Sequence, residues 1–106
     1  MFSKERDRLN GILSKYSNKI SKRFLSLDNQ VYLDGAIDGR TKEIMGLVAS
    51  LVLQCDDCIK YHLIRCRDNG VSDHELEEVF SIALIVGGSI TIPHIRRAAS
   101  FWDEMK

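Results

Sequence analysis

Residues 41–62 read Thr41-Lys42-Glu43-Ile44-Met45-Gly46-Leu47-Val48-Ala49-Ser50-Leu51-Val52-Leu53-Gln54-Cys55-Asp56-Asp57-Cys58-Ile59-Lys60-Tyr61-His62. The first half predicts a helix that is apolar nearly all round, because Ile44, Met45, Leu47, Val48, Leu51, Val52 and Leu53 occupy almost every face. Such a helix is central to a core or is sealed by a partner subunit. Thr41 is its expected N-cap. The second half predicts a new helix beginning at the cysteine pair, since Asp56 and Asp57 suit a first turn, where carboxylates complement exposed amides and the helix dipole. That helix is expected to run to Asn69, with Gly70 as its left-handed stop.

Helical periodicity continues on both sides. Upstream, Leu9, Ile12, Leu13, Tyr16 and Ile20 recur at three- and four-residue spacing with charges between them, which predicts one amphipathic helix from about Lys4 to about Phe24. A short helix over Ser26 to Leu33 follows, then a turn bracketed by Gly35 and Gly39. Downstream, Ser72 and Glu75 have the spacing of a capping box. They open a helix bearing Leu76, Val79, Phe80, Ala83, Leu84 and Val86 that ends at Gly87-Gly88. Pro93 fits the first turn of a last helix carrying Ile95, Ala98, Ala99 and Trp102. Ile90-Thr91-Ile92 is β-branched but too short and solitary to imply a sheet. The class expected is all-α, in a single domain over residues 1–106. Two strongly apolar helices in so short a chain are hard to bury within one subunit, so a homo-oligomer is expected.

Composition narrows the function classes. Fifteen Lys and Arg balance fifteen Asp and Glu, which argues against a nucleic-acid or membrane-surface binder driven by net charge. The longest apolar run, Ile44 to Leu53, is too short for a bilayer, which takes about 20 residues. The polar start, Met1 to Arg8, has no apolar segment behind it of the kind a secretion signal carries. A cytoplasmic location is expected. In that setting an odd number of cysteines, two of them in C-x-x-C, reads as redox or metal chemistry and not as a disulfide framework.

Chemistry concentrates at Cys55, Cys58 and His62. On one helix the two thiols point the same way and are close enough to join as a disulfide. A helix start beside Cys55 would stabilise a thiolate, although Asp56 and Asp57 oppose it. His62 lies on the same face as Cys58 and is suited to moving a proton. Glu43 has two readings: a charge well placed in a helix first turn, or a carboxylate that orients the His62 imidazole. Cys55, Cys58, His62 and Cys66 are also potential metal ligands. A single helix cannot wrap four ligands around one tetrahedral ion, which leaves an ion shared between subunits as the metal alternative. Cys66 reads as a core residue and His74 as solvated. His94 reads as polar surface or a helix-start residue, with a wall of the active pocket as the alternative.

Taken together, Thr41-Lys42-Glu43, the apolar helix, Cys55-x-x-Cys58-x-x-x-His62, Gly70-Val71-Ser72 and Glu75-Leu76-Glu77-Glu78 resemble the carboxymuconolactone decarboxylase/AhpD-like family over about Asp34 to Trp102. The core of the resemblance is Glu-x11-Cys-x2-Cys-x3-His, which is far more specific than C-x-x-C alone. It implies an all-helical bundle with a central helical hairpin, assembled as trimers or hexamers. For members with both cysteines it implies thiol-dependent alkylhydroperoxidase activity with no bound metal or organic cofactor. It makes Cys58 the residue attacked by a hydroperoxide, Cys55 the proton donor and resolving partner, and Glu43 and His62 the proton relay. It further implies a dithiol reductant, either a lipoyl-bearing or a thioredoxin-like protein. The chain departs from the pattern at Asp57, where peroxidase members often carry a His. Competing readings are acid–base decarboxylase chemistry through Glu43 and His62, and a non-catalytic oligomeric binding module.

Overall fold

The structure, a computed structural model, describes residues 2–106. Its helices are α1 (Phe2–Leu13), α2 (Lys19–Val31), α3 (Gly39–Val52), α4 (Asp56–Asp68), α5 (Asp73–Gly87) and α6 (Ile92–Glu104), with 3₁₀ turns at Ser14–Tyr16 and Ser89–Thr91. No strand occurs among the described residues. The all-α class expected from the sequence is therefore observed. The chain forms two compact units, one ending at Leu33 and one spanning Asp34–Lys106.

In the first unit the structure corrects the expected boundaries. The continuous helix from Lys4 to Phe24 is broken at Ser17-Asn18, and the expected short helix from Ser26 belongs to α2. Local polar groups break the helix where the apolar period runs on. The Ser14 and Ser17 hydroxyls donate to the carbonyls of Gly11 and Leu13. The Asn18 side-chain oxygen then accepts from the backbone N–H groups of Ile20 and Ser21, both at 3.0 Å, and caps α2. Neither α1 nor α2 holds a buried residue; Tyr16, Ile20 and Phe24 are all exposed.

In the second unit each helix contributes one apolar stripe to a common core. Leu47 and Leu51 come from α3, Ile59, Leu63 and Cys66 from α4, Leu76, Val79 and Ala83 from α5, and Ala98 and Trp102 from α6. The N-cap of α3 is Asp38, not Thr41: the Asp38 carboxylate accepts from the Thr41 backbone N–H at 2.6 Å. A carboxylate three residues upstream supplies the same oxygen with a full charge at the dipole's positive end, and it wins.

The two turns that flank α4 follow one pattern. After α4, Gly70 (φ 75°) lets its own N–H reach the Arg67 carbonyl and the Val71 N–H reach the Cys66 carbonyl, both at 3.0 Å. That is a Schellman motif with glycine in the left-handed position. After α3 the same pair of bonds joins Gln54 to Leu51 and Cys55 to Ser50, each at 3.1 Å, and the left-handed residue is Gln54 (φ 60°). The turn that delivers Cys55 to the head of α4 is thus made at a side chain that resists this conformation.

The capping box at Ser72 and Glu75 is complete, with bonds of 3.1 and 3.0 Å. Glu75 also pairs with Arg40 at 2.5 Å, and Arg40 reaches the Asn69 carbonyl. One carboxylate therefore ties the start of α3 and the end of α4 to the start of α5. Arg40, then the Ser72 backbone, pull the Glu75 carboxyl down to about 2 from an ordinary 4.5. A depressed carboxylate stabilises the fold fully above its unfolded pKa and loses that contribution as pH falls through the folded one. The melting temperature is therefore expected to decline between about pH 4.5 and about pH 2. Glu75→Gln should melt below wild type at pH 7 and converge with it near pH 2. Parallel curves over that interval would refute the assignment. The pair is half-exposed, so 1 M salt should shrink the difference.

The last helix starts at Ile92 with Pro93 in its first turn, as expected, and Ile90-Thr91 forms a 3₁₀ turn. That turn sits against Gly87, where an added Cβ would lie 2.5 Å from the Thr91 methyl.

Candidate active site

The α3–α4 hairpin brings the sequence-predicted residues together. Cys55 is the N-cap of α4, and its sulfur accepts from the Cys58 backbone N–H at 3.3 Å. The Cα atoms of Cys55 and Cys58 are 5.3 Å apart, and the two sulfurs are joined as a disulfide. Cys55 is half-buried and Cys58 exposed. The pair therefore sits where a helix start offers free N–H groups and positive dipole charge.

Glu43 and His62 are the polar members of two apolar stripes. On α3 the buried residues are Glu43, Leu47, Ser50 and Leu51, and on α4 they are Ile59, His62, Leu63 and Cys66. Packing those stripes sets His62 Nδ1 3.5 Å from Glu43 Oε1. Glu43 is only 2% exposed and His62 8%. This resolves the two readings of Glu43: it is a buried carboxylate beside the imidazole, not a solvated first-turn charge. Its second oxygen, Oε2, has no hydrogen bond among the described residues and lies 3.5 Å from Arg65 Nε. The Tyr61 ring meets His62 edge-on, with centroids 5.3 Å apart.

Cys66 is fully buried in the core, as expected. Burial, reinforced by the Glu43 charge, pushes its thiol up to about 12. It therefore stays protonated and poorly nucleophilic. His74 is exposed on α5, also as expected. Among the described residues no three His, Cys, Asp or Glu side chains converge as a metal site. No helix among them is long and apolar enough to cross a membrane.

Sequence reasoning missed one feature. Asp56, the residue after Cys55, reaches across to α6. Its Oδ1 is 2.8 Å from His94 Nδ1, and its Oδ2 accepts from Arg97 Nε at 3.1 Å. His94 first, then Arg97, holds the Asp56 carboxyl below its ordinary range. His94 does lie in the first turn of α6, as one expectation had it, and its ring is committed to Asp56. The only sequence signal was local: His94 and Arg97 are three apart in one helix and share a face.

A helical hairpin with a joined thiol pair at the turn and a carboxylate–imidazole pair between its helices defines the class of this fold. The carboxymuconolactone decarboxylase family profile matches residues 19–101, and the chain belongs to that family. Two crystal structures of one Thermotoga maritima protein superpose with TM-scores of 0.94 and 0.92 at 53% and 54% identity. They cover 98% of this chain and 91% and 88% of theirs. The second is described as a family protein with a suggested involvement in antioxidative response. An apo family protein from Legionella pneumophila gives a TM-score of 0.81 at 25% identity, covering 97% of this chain and 95% of its own. A Paracoccus denitrificans relative, uncharacterized protein 4 in the cox locus, is 30% identical over 90% of this chain and 86% of its own length.

Proposed function

We propose that this chain is a thiol-dependent antioxidant enzyme that reduces organic hydroperoxides, or exchanges disulfides, through Cys55 and Cys58. The observation that carries this reading is the joined Cys55–Cys58 pair at the head of α4, with Cys58 exposed. The suggested antioxidative role of the Thermotoga maritima relative is consistent with it.

The chemistry balances on these residues together with an external dithiol. The Cys58 thiolate attacks the distal oxygen of ROOH, the O–O bond breaks, and the alkoxide leaves to take a proton as ROH. Cys58 becomes a sulfenic acid. The Cys55 sulfur then attacks the Cys58 sulfur and expels hydroxide, which leaves as water. Two thiols have lost two electrons to the peroxide. A dithiol, borne by a lipoyl-carrying or thioredoxin-like protein, returns them by thiol–disulfide exchange. His62, oriented by Glu43, passes the protons between these steps. No metal or organic cofactor is needed. The resemblance is the ground for ordering Cys58 before Cys55.

We also infer that the enzyme works as a homo-oligomer of three or six copies in the cytoplasm. Ile82, Ile85, Val86 and Ile90 stand exposed around the end of α5, a concentration of apolar surface that a second copy would cover.

The test is mass spectrometry of the peptide that carries both cysteines, after organic hydroperoxide, with and without dithiol. We expect a loss of two hydrogens on oxidation, restored by dithiol, while the peptide of Cys66 stays unchanged. Two thiols that never join, or that bind zinc instead, would overturn the reading. Acid–base decarboxylation, the competing activity, would survive the loss of both cysteines.

A further inference from the structure

Asp56 raises a difficulty that α6 resolves. A carboxylate next in sequence to Cys55 disfavours a second negative charge nearby, and so works against ionising either thiol of the reduced pair. A dithiol that must react as thiolate gains nothing from such a neighbour. Yet Asp56 is engaged on both oxygens by residues 38 and 41 positions downstream, His94 at 2.8 Å and Arg97 at 3.1 Å. The short contact to an ionised carboxylate requires His94 Nδ1 to carry the proton and donate it. Arg97 Nη2 also lies 3.1 Å from that nitrogen. A ring nitrogen that bears hydrogen cannot accept, so the guanidinium is assigned to the carboxylate.

We propose that Arg97 and His94 are an electrostatic counterweight to Asp56 that keeps the Cys55–Cys58 dithiol readily ionised. Arg97 supplies a permanent positive charge that offsets the carboxylate. His94 fixes the carboxylate's position from the same face of α6. Both act through Asp56 and are positioning residues. The arrangement lets Asp56 serve the first turn of α4 without suppressing the thiolate at the adjoining cap. The Asp56 carboxyl, held low by these partners, stays charged throughout the range in which the thiols titrate. This inference rests on the thiol redox reading above.

The helices that meet here, and α3 beside them, carry other charged or titratable groups. Asp57, Lys60 and His62 lie on α4, Glu43 on α3, and Arg96 on α6. A change at Arg97 alone therefore alters one charge against a constant background.

The experiment follows the alkylation rate of the reduced full-length protein by iodoacetamide against pH, together with the Cys55–Cys58 potential in dithiothreitol redox buffers. Cys66 is buried and remains silent. Arg97→Gln is expected to raise the lower thiol pKa by roughly half a unit, and to move the potential toward more reducing values. Arg97→Lys keeps the charge and should titrate within about 0.2 unit of wild type, as should the double variant Asp56→Asn/Arg97→Gln, which removes both charges. A merely mechanical clamp between α4 and α6 predicts otherwise. Arg97→Lys would then behave like Arg97→Gln, the double variant would be no nearer to wild type, and only the melting temperature would move. Any of those results overturns the counterweight. If Arg97→Gln fails to fold, the lysine variant and Asp56→Asn, expected to lower the thiol pKa or leave it unchanged, still decide. A wild type that cycles its disulfide beside an Arg97→Gln variant with an unchanged thiol pKa defeats this inference alone. A wild type that never forms the disulfide defeats the redox reading beneath it.

Discussion

Cys58→Ser is expected to abolish turnover in any thiol-coupled hydroperoxide assay, a loss of at least about a thousandfold in rate. A hydroxyl at this position has no accessible anion near neutral pH, whereas a cysteine thiol ionises near pH 8.5 even unassisted. The geometry makes the loss chemical and not structural. Cys58 is exposed, it belongs to no buried stripe of α4, and the N-cap is the neighbouring Cys55. The variant should fold and melt close to the reduced wild type. Cys55→Ser should behave differently. It retains the attacking sulfur, so one equivalent of hydroperoxide should convert Cys58 to a sulfenic acid that a dimedone-type probe traps, with no second turnover. Full activity in Cys58→Ser would end the proposal. A burst in Cys58→Ser and none in Cys55→Ser would reverse the order of the two sulfurs, an order the helix start favours on electrostatic grounds, because Cys55 is the cap.

What the sequence revealed, and what it hid, follows the range of the interactions. The capping box at Ser72 and Glu75, the left-handed stop at Gly70 and the start of α6 near Pro93 were legible because each is decided within a few residues. The Asn18 break was local too, but a persistent apolar period masked it, and two serines and an asparagine outweighed that period. Gln54 could not be read as a left-handed residue, since glycine is the usual signal and only the paired bonds to Leu51 and Ser50 compel it. The site divides in the same way. Cys55, Cys58 and His62 belong to the cap and first two turns of one helix and were found by spacing. Glu43 stayed open between two readings: positions 43, 47 and 51 are four apart and share a face, but only the packing of α3 on α4 sets the carboxylate beside His62. The Asp56–His94–Arg97 cluster spans about forty positions and two helices, and no local pattern could pair its members.

The largest effect on stability is expected at Trp102, which holds the far end of the helix that carries His94 and Arg97. The residue is 5% exposed, and the Arg67 guanidinium lies 4.0 Å from its ring centroid. Its indole N–H donates to Asp73 at 2.8 Å, and its carbonyl accepts from Arg67 at 2.9 Å. Asp73 is held in turn by Lys106 at 2.6 Å, and these partners keep its carboxyl below the ordinary range. The side chain thus joins α4, α5 and α6 at one point. Trp102→Ala removes the packing and leaves a cavity, which should cost about 3–5 kcal/mol. That is a large share of the roughly 5–15 kcal/mol by which a small domain is stable. Trp102→Phe keeps most of the apolar bulk and the cation–π contact but loses the indole donor to a carboxylate, so about 1–3 kcal/mol is expected. Urea unfolding followed by circular dichroism measures both, since the variants lack the chain's sole tryptophan and its fluorescence. Equal losses for the two substitutions would assign the effect to the Asp73 bond and not to packing. A loss below about 1.5 kcal/mol for Trp102→Ala would mean that α6 is held chiefly by other contacts. The site then supplies an independent check. If Trp102 anchors α6, loosening it should let His94 and Arg97 leave Asp56 more often, so the lower thiol pKa of Trp102→Ala should move in the same direction as that of Arg97→Gln, while Trp102→Phe should stay near wild type.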